Sequence, residues 1–491
     1  MRLQESIKTQ FASVKDSAAI KSINRVICSP WGVGILGILT FLAFAFSLEV
    51  AFYTFVVLYA IYVGLFANDL APIMPLFILC YITPAPSNNP GINDQGLFYG
   101  STGIYLVCIV AVGVLVLLFR IALDKNLGLR RLFTTKRKLM VGMITLGVSY
   151  FLSGILHEQY FEYAKGNLLS AFIQFASVFL LYFIFSASVK WEQFDLDYFA
   201  WIGFVMGIVV SAEVIWLYIT NNVIVDGSII RYNITSGWGC YNNIGAVISM
   251  SIPFAFYFAA RKKRSSIFLL LGCFLFGMVI LSGSRGSMVG AVFAFIASFI
   301  FTLVKCNNKK EFYTATLTLV GSALIVALLF QNKLSTIFQY IPGIAHIDSN
   351  SIVWNDSGRI EIYQNGWKVF LNNPIFGQSF YPIEYAPVTF AQIAEFNSFF
   401  PPRWHNTVIQ MLASCGIVGM LAYSYHRIDT LRLYFKKRTL TNTYILFFVL
   451  TLLIMSLLDC HFFNVGPVLF YSIALAVMEF GRDETVKSPQ Q

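Results

Sequence analysis

Residues 265–305 read SSIFLLLGCFLFGMVILSGSRGSMVGAVFAFIASFIFTLVK, two apolar runs separated by the short polar turn SGSRG. A helix rises about 1.5 Å per residue, so each run is long enough to approach the thickness of a bilayer's hydrocarbon core. Backbone polar groups in lipid must be satisfied within the segment, which requires a helix. The stretch therefore predicts two membrane-spanning helices joined by a tight turn.

The whole chain has the same character. Its 491 residues are 57% hydrophobic and 12% charged, with a mean hydropathy of +0.70. The sequence predicts an all-α, polytopic membrane bundle of about fourteen spans. These spans are 31–48, 50–68, 70–84, 101–122, 139–157, 168–189, 199–220, 244–260, 266–283, 287–304, 312–330, 406–424, 442–458 and 464–480.

The basic residues indicate the orientation of these spans. With the N-terminus inside, the inner segments hold 26 of the 34 Lys and Arg residues. Cytoplasmic loops retain Lys and Arg, so both termini are predicted to be cytoplasmic, with one long outer loop at about 331–405. The net charge of +10 lies in short loops between spans, which argues against nucleic acid as a partner.

Four arginines lie on the outer side, which this bias depletes of positive charge: Arg231, Arg285, Arg359 and Arg403. A headgroup or solvent contact explains any one of them. Four together favour an anionic ligand, because the guanidinium fork matches phosphate and diphosphate geometry.

Arg285 lies in the turn between the first two runs, beside Gly283 and Gly286. Ser287 is predicted to cap the following span, whose N-terminal N–H groups would face an anion. The alternative is a tight hairpin with a snorkelling arginine.

Arg359 opens the segment GRIEIYQNGWKVFLNNPIFG within the outer loop. Apolar residues at helical spacing predict an amphipathic helix that ends at Asn373–Pro374. Arg359 would lie in its first turn, where a cation opposes the helix dipole, and this suggests a bound anion. The alternative is an ion pair with Asp356 or Glu361.

His405 is the candidate for chemistry. It opens the segment HNTVIQMLASCGIVGM, and Gly416 and Gly419 are predicted on the same helix face, where another helix packs closely. At a helix N-terminus the dipole disfavours imidazolium, so His405 is predicted to be a neutral proton acceptor. An interfacial histidine without a chemical role is the alternative. Asp459 and His461, in DCHFFN, are predicted to border the site or to belong to a polar loop.

The spacing HN, nine residues, G, two residues, G resembles the histidine motif of the bacterial O-antigen ligase and polymerase family. The turn SGSRG, the outer-loop segment above and YNNIGAVISMSIPFAF are similar to further motifs of that family. The resemblance covers roughly 240–425. It divides the chain into an N-terminal transmembrane region (1–239), an O-antigen ligase-like region (240–425) and a C-terminal transmembrane hairpin with a short tail (426–491).

The resemblance implies a metal-independent, inverting glycosyltransferase of the bacterial cytoplasmic membrane with its active site on the outer face. It implies His405 as the base, Arg285 and Arg359 as diphosphate ligands with Arg231 and Arg403 assisting, and no cofactor. The implied partners are a polyprenyl-diphosphate-linked glycan donor, a glycan or lipid-glycan acceptor, membrane lipids and a chain-length regulator.

Two alternatives stay open. The shared motifs do not separate a ligase from a surface polysaccharide polymerase. A lipid-linked oligosaccharide flippase or other transporter also has many spans, and Glu213, an acid within a predicted span, is the residue that would favour transport.

Overall fold

The computed structural model describes residues 17–79, 111–112, 115, 118, 129–162, 164–225, 228–230, 233–236, 239–329, 347–348, 351–352, 359–380 and 404–482. Seventeen α-helices lie in these residues. In chain order they are α1 (Ala18–Ile27), α2 (Pro30–Ala45), α3 (Glu49–Phe66), α4 (Met74–Leu79), α5 (Leu129–Thr134), α6 (Met140–Leu152), α7 (Glu158–Glu162), α8 (Ala164–Ser188), α9 (Leu196–Thr220), α10 (Tyr241–Arg261), α11 (Ser265–Leu281), α12 (Arg285–Lys305), α13 (Lys309–Leu329), α14 (Arg359–Asn372), α15 (Thr407–Lys436), α16 (Leu440–Ser456) and α17 (Val465–Phe480).

Short antiparallel hairpins and 3-10 turns lie in the connections. The hairpins pair β1 (Ile224–Val225) with β2 (Ser228–Ile229), β3 (Thr235–Ser236) with β4 (Gly239–Cys240), and β5 (Ile347–Asp348) with β6 (Ser351–Ile352). The 3-10 turns are Ala71–Ile73 and His461–Phe463. The all-α prediction is therefore confirmed, with two-residue strands as additions.

Within the described residues, five helices are long and apolar enough to cross a membrane: α8, α9, α10, α12 and α15. The bent pair α1–α2, with a 72° angle, adds a sixth span if it crosses as one unit. Shorter apolar helices lie at Ala51–Phe66, Met140–Leu152, Ser265–Leu281, Leu440–Ser456 and Val465–Phe480. The predicted spans 70–84 and 101–122 extend beyond the described residues, so the total of fourteen stays a prediction.

Helix α10 lies at the centre of the bundle. It contacts α9, α11, α12 and α16, and its apolar window is completely buried. Close approach to α12 depends on Gly245, because a Cβ there would lie 2.8 Å from the Ser287 Cβ. Aromatic side chains fill the rest of this core, with Phe254 against Phe199, Phe448 and Phe470.

Helix α15 is broken at Gly416, where φ is 64° and ψ is −160°. Residues 374–379, which follow α14, fill this break. The N–H groups of Ile417 and Val418 donate to the carbonyls of Pro374 and Ile375, at 2.8 and 3.2 Å. On the other side of the break, the carbonyls of Ala413 and Ser414 accept from residues 378 and 379, at 2.9 and 3.1 Å. The inserted segment thus satisfies the backbone groups that the break exposes.

This break corrects the packing predicted for Gly416, which does allow a close approach, but to the inserted segment rather than to another helix. Helix α15 continues beyond the predicted span 406–424, to Lys436. Basic residues beyond 424 suggested a loop, whereas the structure buries part of that stretch.

Helix α14 is present where the amphipathic helix was predicted. One face, with Gly366, Val369 and Phe370, is buried against the N-terminal half of α15. The apolar side chains Ile360 and Leu371 remain 58% and 57% exposed, on the opposite face. The helix therefore lies on the bundle with a second apolar face turned outward.

Replacement of Gly416 by alanine should destabilise the protein. A Cβ at this position would lie 2.4 Å from the Ile375 carbonyl oxygen, and a positive φ strains any L side chain. We expect Gly416→Ala to cost at least about 1–3 kcal/mol and to lower the midpoint of thermal aggregation in detergent. Gly277→Ala in α11 is the matched control, since a Cβ at Gly277 meets nothing within 4 Å. Equal midpoints for the two variants would contradict the strained break.

Candidate functional site

Residues 457–460, here called the 457–460 loop, follow α16 and bind groups from two other helix starts. The Leu457 carbonyl accepts from Asn406 Nδ2 at 2.8 Å, and the Leu458 carbonyl accepts from Arg359 Nη1 at 2.6 Å. Asp459 binds the imidazole of His405. The loop thus brings the start of α14 and the start of α15 to one place.

The centre of the site is the pair His405 and Asp459. The imidazole Nδ1 lies 3.1 Å from Asp459 Oδ1, and the two side chains are 30% and 8% exposed. Asp459 Oδ1 also accepts from the Cys460 N–H at 2.7 Å, and Oδ2 accepts from Asn242 Nδ2 at 3.3 Å. A carboxylate held in this way favours the proton on Nδ1 and leaves the Nε2 lone pair as the basic atom.

The backbone of His405 is fixed separately from its side chain. Its φ is +48°, in the left-handed region, and Tyr363 donates a hydrogen bond to its carbonyl at 3.1 Å. The next residue, Asn406, is the N-cap of α15 and accepts from Val408 N and Ile409 N. His405 therefore precedes the helix. The prediction that it shares a helix face with Gly416 and Gly419 is wrong, because the chain turns at His405 before the helix begins.

Arg359 is the first residue of α14, as predicted. Its Nη1 donates to the Leu458 carbonyl, and the described residues contain no ion pair between Arg359 and Glu361, so the structure favours a role at the 457–460 loop over an intrahelical ion pair. Asp356, the other predicted partner, lies outside the described residues. Tyr363 follows one turn later on the same side of the helix. Burial raises the pKa of the Tyr363 hydroxyl, which keeps it a neutral hydrogen-bond donor.

Arg285 is the first residue of α12. Its N-cap is Ser284, whose hydroxyl accepts from Ser287 N, so the predicted cap at Ser287 is wrong. The Ser287 hydroxyl instead donates a hydrogen bond to the carbonyl of Asn242 at 3.0 Å, because α10 passes close to this turn. A Cβ at Gly286 would lie 3.4 Å from Leu458 Cβ, so the start of α12 packs on the 457–460 loop.

Asn242 connects the arginine turn to the histidine pair. Its Oδ1 accepts from the Ser284 hydroxyl at 3.0 Å, while its Nδ2 donates to Asp459. The sequence did not predict a role for Asn242 or Tyr363. It also did not predict the direct hydrogen bond between Asp459 and His405. The sequence had indicated Asp459 only as a residue that borders the site.

Of the five predicted site residues, three are described. The structure brings His405, Arg359 and the Arg285 turn together, whereas Arg231 and Arg403 lie outside the described residues and stay predictions. His461, the other predicted neighbour, is buried, with its Nδ1 3.4 Å from Asn464 Nδ2. The described part of the chain contains no group of three or more His, Cys, Asp or Glu arranged to hold a metal ion.

These groups together define a chemistry. A carboxylate-oriented imidazole accepts a proton, and guanidinium groups beside a helix N-terminus stabilise negative charge. The fold is that of a multi-pass helical membrane protein. Its site is suited to a group-transfer reaction with an anionic leaving group.

Comparison with known families finds a match for part of this chain. Residues 268–424 match the family model described as O-antigen ligase, which confirms the resemblance to the O-antigen ligase and polymerase family that the motifs carry. No curated protein matches the chain. The matched region contains Arg285, Arg359 and His405, while Asn242 and Asp459 reach the site from either side of it.

The contact between α12 and the 457–460 loop can be tested by a disulfide. A Cβ placed at Gly286 would lie 3.4 Å from the Leu458 Cβ, which is close to the Cβ–Cβ distance that a disulfide requires. We expect Gly286→Cys with Leu458→Cys to cross-link on mild oxidation, as read by mass spectrometry of the joined peptides. Gly277→Cys with Leu458→Cys is the control and should not cross-link. Absence of the first cross-link would contradict the packing of the Arg285 turn on the 457–460 loop, and with it the proximity of Arg285 to the histidine pair.

Proposed function

We propose that this protein is a membrane glycosyltransferase that moves a glycan from a polyprenyl-diphosphate carrier to an acceptor hydroxyl. The observation that carries the proposal is the 457–460 loop, where Asp459 binds His405 and the Leu458 carbonyl binds Arg359. The match of residues 268–424 to the O-antigen ligase family supports it. The carrier is of the undecaprenyl diphosphate type. The products build the surface polysaccharide of the cell envelope.

His405 acts as the general base in this reaction. Its Nε2 takes the proton of the acceptor hydroxyl as the oxygen attacks the anomeric carbon, and Asp459 stabilises the imidazolium that forms. The proton then passes to solvent. Asp459 acts through His405 and is therefore a positioning residue.

The leaving group is the carrier diphosphate. The bond between the anomeric carbon and the diphosphate oxygen breaks, and its electron pair stays on that oxygen. Arg285 and Arg359 neutralise the released charge, with Arg231 and Arg403 as further ligands, so neither a metal ion nor an acid is required. Attack from the side opposite the diphosphate inverts the configuration in a single displacement.

The charge distribution supports an active site on the outer face of the cytoplasmic membrane. At the end of the bundle away from His405, Lys262 and Arg261 bind Asp197, and Lys437 donates to the Glu479 carbonyl. Clustered Lys and Arg mark the cytoplasmic end of a membrane protein. We therefore infer that both termini lie in the cytoplasm and that the histidine pair lies where a lipid-borne donor meets a hydrated acceptor.

A ligase and a polysaccharide polymerase share this chemistry and differ in the acceptor, which is a lipid-glycan or a growing glycan. A chain-length regulator is a further partner in either case. The alternative function, a transporter, is based on Glu213. This residue is fully buried in α9, and neither of its carboxylate oxygens is hydrogen-bonded among the described residues. Product formed from donor and acceptor without an energy source distinguishes the enzyme from a transporter.

Loss of the histidine pair should abolish transfer. We expect His405→Ala to remove turnover, and Asp459→Asn to lower it by about 10²- to 10⁴-fold, because an amide places the wrong tautomer at the reacting atom. The assay uses the lipid-linked glycan pool extracted from a strain that lacks this protein, with the purified protein in nanodiscs.

Two controls accompany this experiment. Gel filtration must show that both variants stay folded, and the wild-type rate must be unchanged in EDTA. Wild-type turnover by folded His405→Ala would refute the base assignment. Loss of turnover in EDTA would refute the metal-independent mechanism.

The arginines should control affinity for the carrier. Undecaprenyl diphosphate itself is the probe, because it is common to donors with different glycans. We expect Arg285→Gln and Arg359→Gln each to weaken its binding about 10- to 100-fold, the range for a lost charge-assisted hydrogen bond. Lys368→Gln is the matched control, since Lys368 is an exposed cation on the same helix as Arg359. Equal losses in all three variants would indicate only a general attraction to positive charge.

A further inference from the structure

Arg427 is a cation inside the bundle that the proposed reaction does not use. It lies on the second half of α15, and its guanidinium carbon is 4.1 Å from the Phe462 ring centre, 4.5 Å from that of Tyr423 and 5.0 Å from that of Tyr471. Its Nε and Nη2 are buried without a hydrogen-bond partner among the described residues. No salt bridge joins it to a carboxylate within the described ranges.

The hydrogen bonds around Arg427 do not neutralise its charge. Arg427 Nη1 donates to the Tyr471 hydroxyl at 2.6 Å, and the Tyr471 hydroxyl lies 2.8 Å from His426 Nε2. The guanidinium has no acceptor capacity, so the tyrosine proton is directed to His426. The stabilising contacts are therefore mainly the faces of three aromatic rings, which attract a desolvated cation.

One of these rings belongs to the segment that follows Asp459 of the histidine pair. Phe462 is the middle residue of the 3-10 turn His461–Phe463, and it is 1% exposed. The residue before the turn, Cys460, accepts from Phe463 N at 2.8 Å and donates its own N–H to Asp459 Oδ1 at 2.7 Å. The position of the Phe462 ring is thus coupled through one turn of backbone to the carboxylate that orients His405.

An arginine in this setting is costly. Charged side chains within a bundle are expensive unless they are paired, and an apolar side chain of the same length would fill the same space without that cost. The contacts that distinguish a guanidinium from such a side chain here are its hydrogen bond to Tyr471 and its attraction to the three rings, of which the Phe462 ring is the nearest.

We propose that Arg427 is a positioning residue of the active site. Its guanidinium holds Phe462 and the 3-10 turn, and the turn holds Asp459 in line with His405 Nδ1. This inference rests on the proposed function, because Arg427 would act on His405, the base of that reaction. It deepens that function by extending the site from the 457–460 loop to the interior of α15.

The experiment compares Arg427→Met, which keeps the length and removes the charge, with Arg427→Lys, which keeps a cation over the rings. We expect Arg427→Met to lower turnover of the extracted donor pool about tenfold, with unchanged affinity for undecaprenyl diphosphate. Arg427→Lys should recover most of the rate. Unchanged turnover in folded Arg427→Met, or an equal loss of affinity and rate, would overturn the proposal.

A double-mutant cycle separates positioning from general packing. If Arg427 acts through Asp459, Arg427→Met should cause no further loss in the Asp459→Asn background. A further tenfold loss in that background would overturn the proposal. Phe462→Leu removes the ring and leaves Arg427, so it should reproduce the rate loss and provides the test if Arg427→Met does not fold.

A readout without substrate distinguishes failure of this inference from failure of the proposed function. The rate at which diethyl pyrocarbonate modifies His405, followed by mass spectrometry, reports how well Asp459 activates the imidazole. We expect Arg427→Met to slow this modification as Asp459→Asn does, whatever reaction the protein catalyses. Equal modification rates in wild type and Arg427→Met would refute the link even if transfer is observed.

Discussion

The hydrogen bond of 3.1 Å between His405 and Asp459 joins two parts of the chain that fold as separate helical elements. The carboxylate gives the imidazole a defined tautomer and direction, which an isolated histidine near a membrane surface does not have. Four other residues of the site act on one of the two partners. Asn242 and Cys460 hold the carboxylate, while Tyr363 and the cap residue Asn406 hold the backbone beside the imidazole.

The same region illustrates how a membrane protein tolerates irregular backbone. An interrupted helix exposes donors and acceptors that lipid does not satisfy, so it persists only where another segment supplies partners. Here residues 374–379, which follow α14, supply them around Gly416. The break lets the first half of α15 run at its own angle towards the histidine pair while the second half continues through the bundle.

The sequence was informative where local patterns determine the structure. Apolar run length predicted the all-α membrane class, and the motifs around Arg285, Arg359 and His405 predicted residues that the fold brings to one loop. It was uninformative about pairings between distant segments, such as Asn242 with Asp459. Two patterns misled: glycines in apolar helices commonly mark helix packing, and basic residues after position 424 are typical of a cytoplasmic loop. In the structure Gly416 meets inserted backbone, and Arg427 lies among aromatic rings.

The insertion at the helix break fixes both flanks of the stretch that joins α14 to α15. The chain leaves the break with Ser379 N bonded to the Ser414 carbonyl, and it returns with Trp404 N bonded to Gln410 Oε1. Both ends of the intervening stretch are thus fastened to the same half-helix. These two hydrogen bonds use no atom of residues 381–403, so a substitution between those positions leaves in place the groups that fasten both flanks beside His405.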